Sequence, residues 1–104
     1  MNNIRYVGKH ARTWTVSRHF HREWELIYCT GGRGELVFSD RTLRYTVNDV
    51  AIIPPMLPHC NTSEEGFTNI HINLSGAALS YAEPTVIRAD TNGFLLVAFT
   101  AAFL

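Results

Sequence analysis

Residues 17–34 read SRHFHREWELIYCTGGRG. His19 and His21 stand two apart, and Glu25 follows four after His21. On an extended chain every second side chain shares a face, so this spacing predicts that His19, His21 and Glu25 point the same way. Glu23 has the same parity as Glu25; the spacing favours Glu25. From Trp24 to Thr30 both faces are largely apolar, with Trp24, Leu26 and Tyr28 on one and Glu25, Ile27 and Cys29 on the other. That pattern predicts a central strand rather than an edge. Gly31, Gly32 and Gly34 then supply the expected turn, because glycine tolerates positive φ.

Working outward, Thr13 to Ser17 is β-branched and aromatic and reads as a strand. Before it, Ile4, Tyr6 and Val7 suit an edge strand or a loose arm. Glu35 to Phe38 returns after the glycines, Ser39-Asp40-Arg41 turns, and Thr42 to Val47 alternates again. Asn48-Asp49 turns once more into the apolar run Val50 to Ile53. Pro54-Pro55-Met56-Leu57-Pro58 cannot sit in a ladder, since proline lacks a donor, so it forms a stiff corner that delivers His59. Phe67 to Leu74 is the last clear strand, with Ile70, Ile72 and Leu74 on one face and Asn69, His71 and Asn73 on the other. Short strands between closely spaced turns predict an all-β sandwich or barrel. If it closes, His19, His21, Glu25 and His59 meet in one cavity. The polar face of the last strand either lines that cavity, with His71 the best candidate, or faces solvent.

After Ser75 the character changes. Ser75 to Glu83 is small and polar, Pro84 punctuates it, and Thr85-Val86-Ile87 reads as linker or edge strand. Asp90-Thr91-Asn92 is a helix N-cap cluster, followed by residues apolar on every side to Leu104. The expected division is a barrel over residues 1–84 and, over 85–104, a linker and the beginning of an α-helix, in a chain cut inside a longer protein.

The arrangement His-x-His-x3-Glu-x6-Gly, then a proline-rich turn ending in histidine, resembles the two motifs of the cupin superfamily. More narrowly, HFHREWELIYCTGGRGELVF, YTVNDVAIIPPMLPH and NIHINLSG resemble the N-terminal sensor domain of AraC-type transcription regulators. The likeness covers roughly residues 18–76. Asn48, Met56 and Ser63 stand where the cupin motif has glycine, glycine and asparagine, which suits the regulator branch, where that motif is looser. The resemblance implies a double-stranded β-helix (cupin, jelly-roll) barrel that is not an enzyme. It further implies a small-molecule effector, a sugar or other metabolite, in the barrel. The expected partners are a second copy, making a homodimer, and DNA held by a helix-turn-helix domain outside this chain. His19, His21, Glu25 and His59 fill the four cupin metal positions, which suits Zn, Ni, Mn or Fe. The rival reading is a metal-dependent cupin isomerase or dioxygenase.

Composition narrows the field. Lysine plus arginine equals aspartate plus glutamate at nine each, and Lys9 is the single lysine. No basic stripe is visible, which argues against this chain holding nucleic acid by itself. The first residues carry no apolar run of a secretory signal, and Phe94 to Leu104 is too short to span a bilayer, so a cytoplasmic protein with no membrane partner is expected. Cys29 and Cys60 read as reduced structural thiols. Trp24 and Tyr28, with Trp14 and Phe38, are candidates to stack on a ligand, though such residues are more often core. Arg18, Arg22 and Arg44 read as solvated. Cys60 beside His59 makes no catalytic dyad, because neighbours on an extended chain face opposite ways. His10 has no motif around it.

Overall fold

The computed structural model describes residues 4–75 and 81–88. Six strands follow in order: β1 Ile4–His19, β2 Trp24–Phe38, β3 Thr42–Thr46, β4 Val50–Ile53, β5 His59–Leu74 and β6 Thr85–Ile87. All pairings are antiparallel, in the order β1-β5-β2-β4-β6, with β3 paired to β2 as well. One half of β2 pairs with β4 through Glu25 to Tyr28, and its other half pairs with β3 through Arg33 to Val37. Strand β5 follows β2 along nearly its whole length, from Trp24↔Leu74 to Phe38↔His59. The all-β architecture expected from the turn spacing, and the jelly roll that the resemblance implies, are therefore present.

Three expectations are corrected. The glycines at 31–34 do not reverse the chain. They bend β2 and let it continue, with register shifts between Cys29 and Gly31 and between Gly32 and Glu35. Gly32 has φ +71° and faces the carbonyl of Gly66, itself at φ +91°, so a Cβ at Gly32 has no room. Two strands thus fold over the same corner together, as glycine bulges allow. The true reversal comes at Ser39-Asp40, where Phe38 N donates to Arg41 O at 2.8 Å. Second, the last long strand starts at His59, not Phe67. Third, of the two readings of residues 4–7 the edge strand holds and the loose arm does not, and residues 4–12 are not separate from the strand at 13–17. They form one strand, β1, kinked at Arg12 (φ +43°) and paired to β5 from Ile4↔Leu74 to His19↔His59.

Strand β6 pairs with β4, from Val50↔Ile87 to Ile52↔Thr85, so the sheet extends past Pro84. Arg88 fastens it, donating from Nη1 to Asp49 Oδ2 at 2.9 Å and to Arg44 O at 2.8 Å. The expected helix beyond Asn92 lies outside the described residues.

The interior holds Ile27, Cys29, Leu36, Phe38, Tyr45, Ala51, Ile53 and Phe67. A second apolar cluster, Tyr28, Val50, Ile70 and Ile72, sits on the other face of the β1-β5-β2-β4 sheet. Alternation explains the division: neighbours Ile27 and Tyr28 leave the same strand in opposite directions.

Candidate functional site

A cavity of about 250 Å³ opens inside the barrel, and all five histidines of the chain line it. Glu25 is the sole carboxylate among its lining residues, and no lysine or arginine is among them. Val16, Ile27 and Leu36 supply the apolar wall.

His19, His21, Glu25 and His59 converge as expected, but not by strand parity. His19 closes β1, Glu25 is the second residue of β2, and His21 sits in the short link between them. The proline corner completes the cluster. Met56 N donates to His21 O at 2.7 Å, which ties that corner to the link. Met56 (φ +68°) and Asn48 (φ +73°) both hold left-handed backbone, at the two positions where the cupin motif has glycine. Glu25 is buried and looks inward; Glu23, of the same parity, precedes β2 and does not line the cavity.

His59 is 2% exposed and both its ring nitrogens meet acceptors. Nδ1–H donates to Leu57 O at 2.8 Å and Nε2–H to Glu25 Oε1 at 3.0 Å. A ring donating from both nitrogens is an imidazolium, so His59 and Glu25 form a buried ion pair. Their proton affinities agree. Burial works to raise the Glu25 carboxyl, but the His59 hydrogen bond and the charges of His59, His21 and His19 outweigh it and hold it below its usual range. Burial works to lower the His59 imidazole, but its bonds to Glu25 and Leu57 raise it on balance.

His21 Nε2 lies 3.8 Å from Glu25 Oε1, and the rings of His19 and His59 are 4.6 Å apart. His19 Nδ1–H donates to Ser17 O at 2.7 Å, which fixes the tautomer and leaves Nε2 for the interior. The donor atoms of His19, His21 and Glu25 all lie within 4.8 Å of one another. A tetrahedral ion with bonds of about 2.1 Å needs donors about 3.4 Å apart. The set therefore fits a divalent transition metal in chemistry and needs a modest contraction in spacing. Here His59 holds the carboxylate rather than standing beside it as a fourth donor.

The polar face of β5 is turned inward. Asn69, His71 and Asn73 are all buried and line the cavity. His71 stacks on His10, ring centroids 4.6 Å apart and planes at 20°, and His10 Nδ1–H donates to Asn69 Oδ1 at 3.3 Å. Burial, then the neighbouring His10, lower the basicity of His71. Tyr6 and His10 had no motif to announce them. They share parity with Gly8 on β1, and that alternation was the only available signal.

Trp24 and Tyr28 do not look into the cavity. Tyr28 is 1% exposed among Val50, Ile70 and Ile72, with Oη donating to Asn48 Oδ1 at 3.4 Å. Both residues alternate with Glu25 and Ile27, so the register that aims the carboxylate inward aims them out. Cys29 and Cys60 are unpaired with each other. Burial pushes the Cys29 thiol up to about 11. Cys60 faces away from His59, half-buried while His59 is enclosed. No helix among the described residues is long and apolar enough to cross a membrane.

The family model of the AraC-like ligand binding domain matches residues 2–94. Among solved structures, apo ToxT from Vibrio cholerae is similar over 100% of this chain and 48% of its own, with a TM-score of 0.65 at 9% identity. ToxT with bound unsaturated fatty acid is similar over 92% of this chain and 43% of its own, with a TM-score of 0.57 at 12% identity. A cupin-2 domain containing protein from Shewanella frigidimarina matches over 71% of this chain and 72% of its own, with a TM-score of 0.60 at 18% identity. At such identities the likeness is one of fold. This chain spans about half the length of ToxT. No curated protein matches it.

Proposed function

We propose that this chain, which belongs to the AraC-like ligand-binding domain family, senses a small polar molecule inside its barrel and passes the event on through β1. The observation that carries the reading is the convergence of all five histidines and one buried carboxylate on a single cavity. A stabilising core has no need of so many polar groups, and a ligand site uses a few fixed ones to orient its occupant.

The wall that contributes most to transmission is β1. It supplies Tyr6, His10, Val16 and His19 to the cavity, yet among the described residues it is an edge strand paired to β5 alone. An occupant that touches β1 favours the arrangement in which β1 lies closed on the barrel, a population shift set by differential affinity. In a longer protein that shift alters how two copies present their DNA-binding helix-turn-helix units, which lie outside this chain. With Val16, Ile27 and Leu36 as its apolar lining, the cavity suits a compact metabolite such as a sugar better than a long acyl chain. Isothermal titration against sugars, amino acids and aromatic acids tests this. A saturable one-site isotherm for one class is expected, and heat of dilution alone across the panel refutes it.

A second reading has its own observation, the grouping of His19, His21 and Glu25 donors within 4.8 Å. These residues would hold a divalent transition metal, with His59 released from Glu25 to join them. Such an ion would supply Lewis-acid polarisation of an occupant. Elemental analysis of purified protein separates the two: about one metal equivalent favours this reading. Metal-free protein whose fold survives chelator favours sensing without metal.

A further inference from the structure

We propose that the inward stripe of β5, Asn73 with His71 beside it, is a ligand subsite that takes an uncharged hydrogen-bond donor, a hydroxyl group of a small molecule. The inference rests on the sensing reading above and adds which wall reads the ligand and which chemistry it reads.

Asn73 Oδ1 carries the argument. Asn73 is 6% exposed, and its Oδ1 is the one buried side-chain oxygen or nitrogen among the described residues with no hydrogen-bond partner. Buried acceptors are rarely left so, because removal from water without a replacement donor is costly. The residue lines the cavity and lies across from Glu25 on β2 and Tyr6 on β1. The neighbouring polar groups satisfy each other: His10 donates to Asn69, and Glu25 is held by His59. His71 is seated by design of the backbone beside it. A Cβ on Gly8 would stand 2.6 Å from His71 Cε1, so the glycine makes room for the ring.

Charge decides the class of donor. A carboxylate or phosphate would find no arginine or lysine among the lining residues. An ammonium would compete with His59 for the single carboxylate, which already has a partner at 3.0 Å. A hydroxyl asks for neither. The volume, about 250 Å³, equals that of about eight liquid waters, which admits a short polyol.

The test uses the full chain, isotopically labelled, and three probes of equal carbon-chain length: butanediol, succinate and putrescine. Butanediol is expected to shift the Asn73 side-chain amide and the His71 ring signals saturably, and the other two are not. Asn73→Leu removes the orphan acceptor. It is expected to raise the melting temperature of the free protein and to weaken the butanediol response at His71 about tenfold. The wild-type shifts stand alone if that variant does not fold. Larger responses to succinate or putrescine overturn the assignment. Butanediol shifts confined to Glu25, His21 and His59 overturn the subsite and leave cavity sensing intact. Silence of every cavity signal with all three probes overturns the subsite, while the titration panel still decides the sensing reading on its own.

Discussion

Removing the charge of Glu25 without removing its shape separates the buried ion pair from the packing around it. Glu25 and His59 are 6% and 2% exposed, with Oε1 and Nε2 3.0 Å apart. At an effective dielectric of about 20 the attraction at that distance is about 5 kcal/mol, against a desolvation penalty of several kcal/mol per ion. The net value is therefore small, but an orphaned partner is expensive. Glu25→Leu leaves a buried imidazole nitrogen facing carbon, and about 3–5 kcal/mol should be lost. Glu25→Gln lets His59 lose its Nε2 proton, and the glutamine amide N–H can then donate to that bare nitrogen. Only the difference between a charged and a neutral hydrogen bond disappears, about 1–2 kcal/mol.

The pH dependence follows from the two directions. Glu25 is depressed, so its contribution is present above the unfolded value of about 4.3 and is lost as pH falls through the lower folded value. His59 is raised, so its contribution is complete below about 6.5 and is lost as pH rises through the higher folded value. The cost of Glu25→Gln should therefore be greatest between about pH 4.3 and 6.5 and shrink on both sides. Urea unfolding of chelator-treated protein across that range measures it. A cost for Glu25→Gln that does not change with pH, or a Glu25→Leu variant no less stable than Glu25→Gln, refutes the ion pair.

Three further outcomes are expected. Gly8→Ala places a methyl 2.6 Å from the His71 ring, and overpacking of this kind should cost about 1–3 kcal/mol in urea unfolding. Met56→Gly relieves a left-handed backbone at an exposed residue (φ +68°). It should raise stability by up to about 1 kcal/mol, less than the 1–2 kcal/mol of the strain because glycine loses more chain entropy. Cys29, 1% exposed and raised to about 11, should resist alkylation in the native state at neutral pH, whereas Cys60 should label; mass spectrometry of the peptides reads both.

The barrel was legible because its signals are local. Alternation along Trp24–Cys29 named both the strand and its central place, and the prolines at 54, 55 and 58 named the corner that brings His59 in. The glycine stretch misled because the same residues serve a turn and a bulge. Only the partner strand distinguishes them, and Gly66, which completes the corner with Gly32, lies far away in sequence. The inward direction of Asn69, His71 and Asn73 was open for a related reason. Strand β5 carries apolar and polar side chains on alternate sides, and which side faces the cavity depends on the sheet curling around it.

That dependence explains why polar residues could sit inside at all. The apolar side of β5, Ile70 and Ile72, packs with Tyr28 and Val50 on the far face of the sheet. Those contacts fix the register of β5, and a one-residue slip would carry every side chain across. The outer apolar cluster thus holds the polar stripe in the interior, against the desolvation cost of each group. Where internal partners suffice, as for Glu25 with His59 or His10 with Asn69, that cost is offset within the fold. Where they do not, as at Asn73 Oδ1, the proposed hydroxyl would supply the remaining compensation, and the sheet's outer packing is what keeps that acceptor turned toward the cavity.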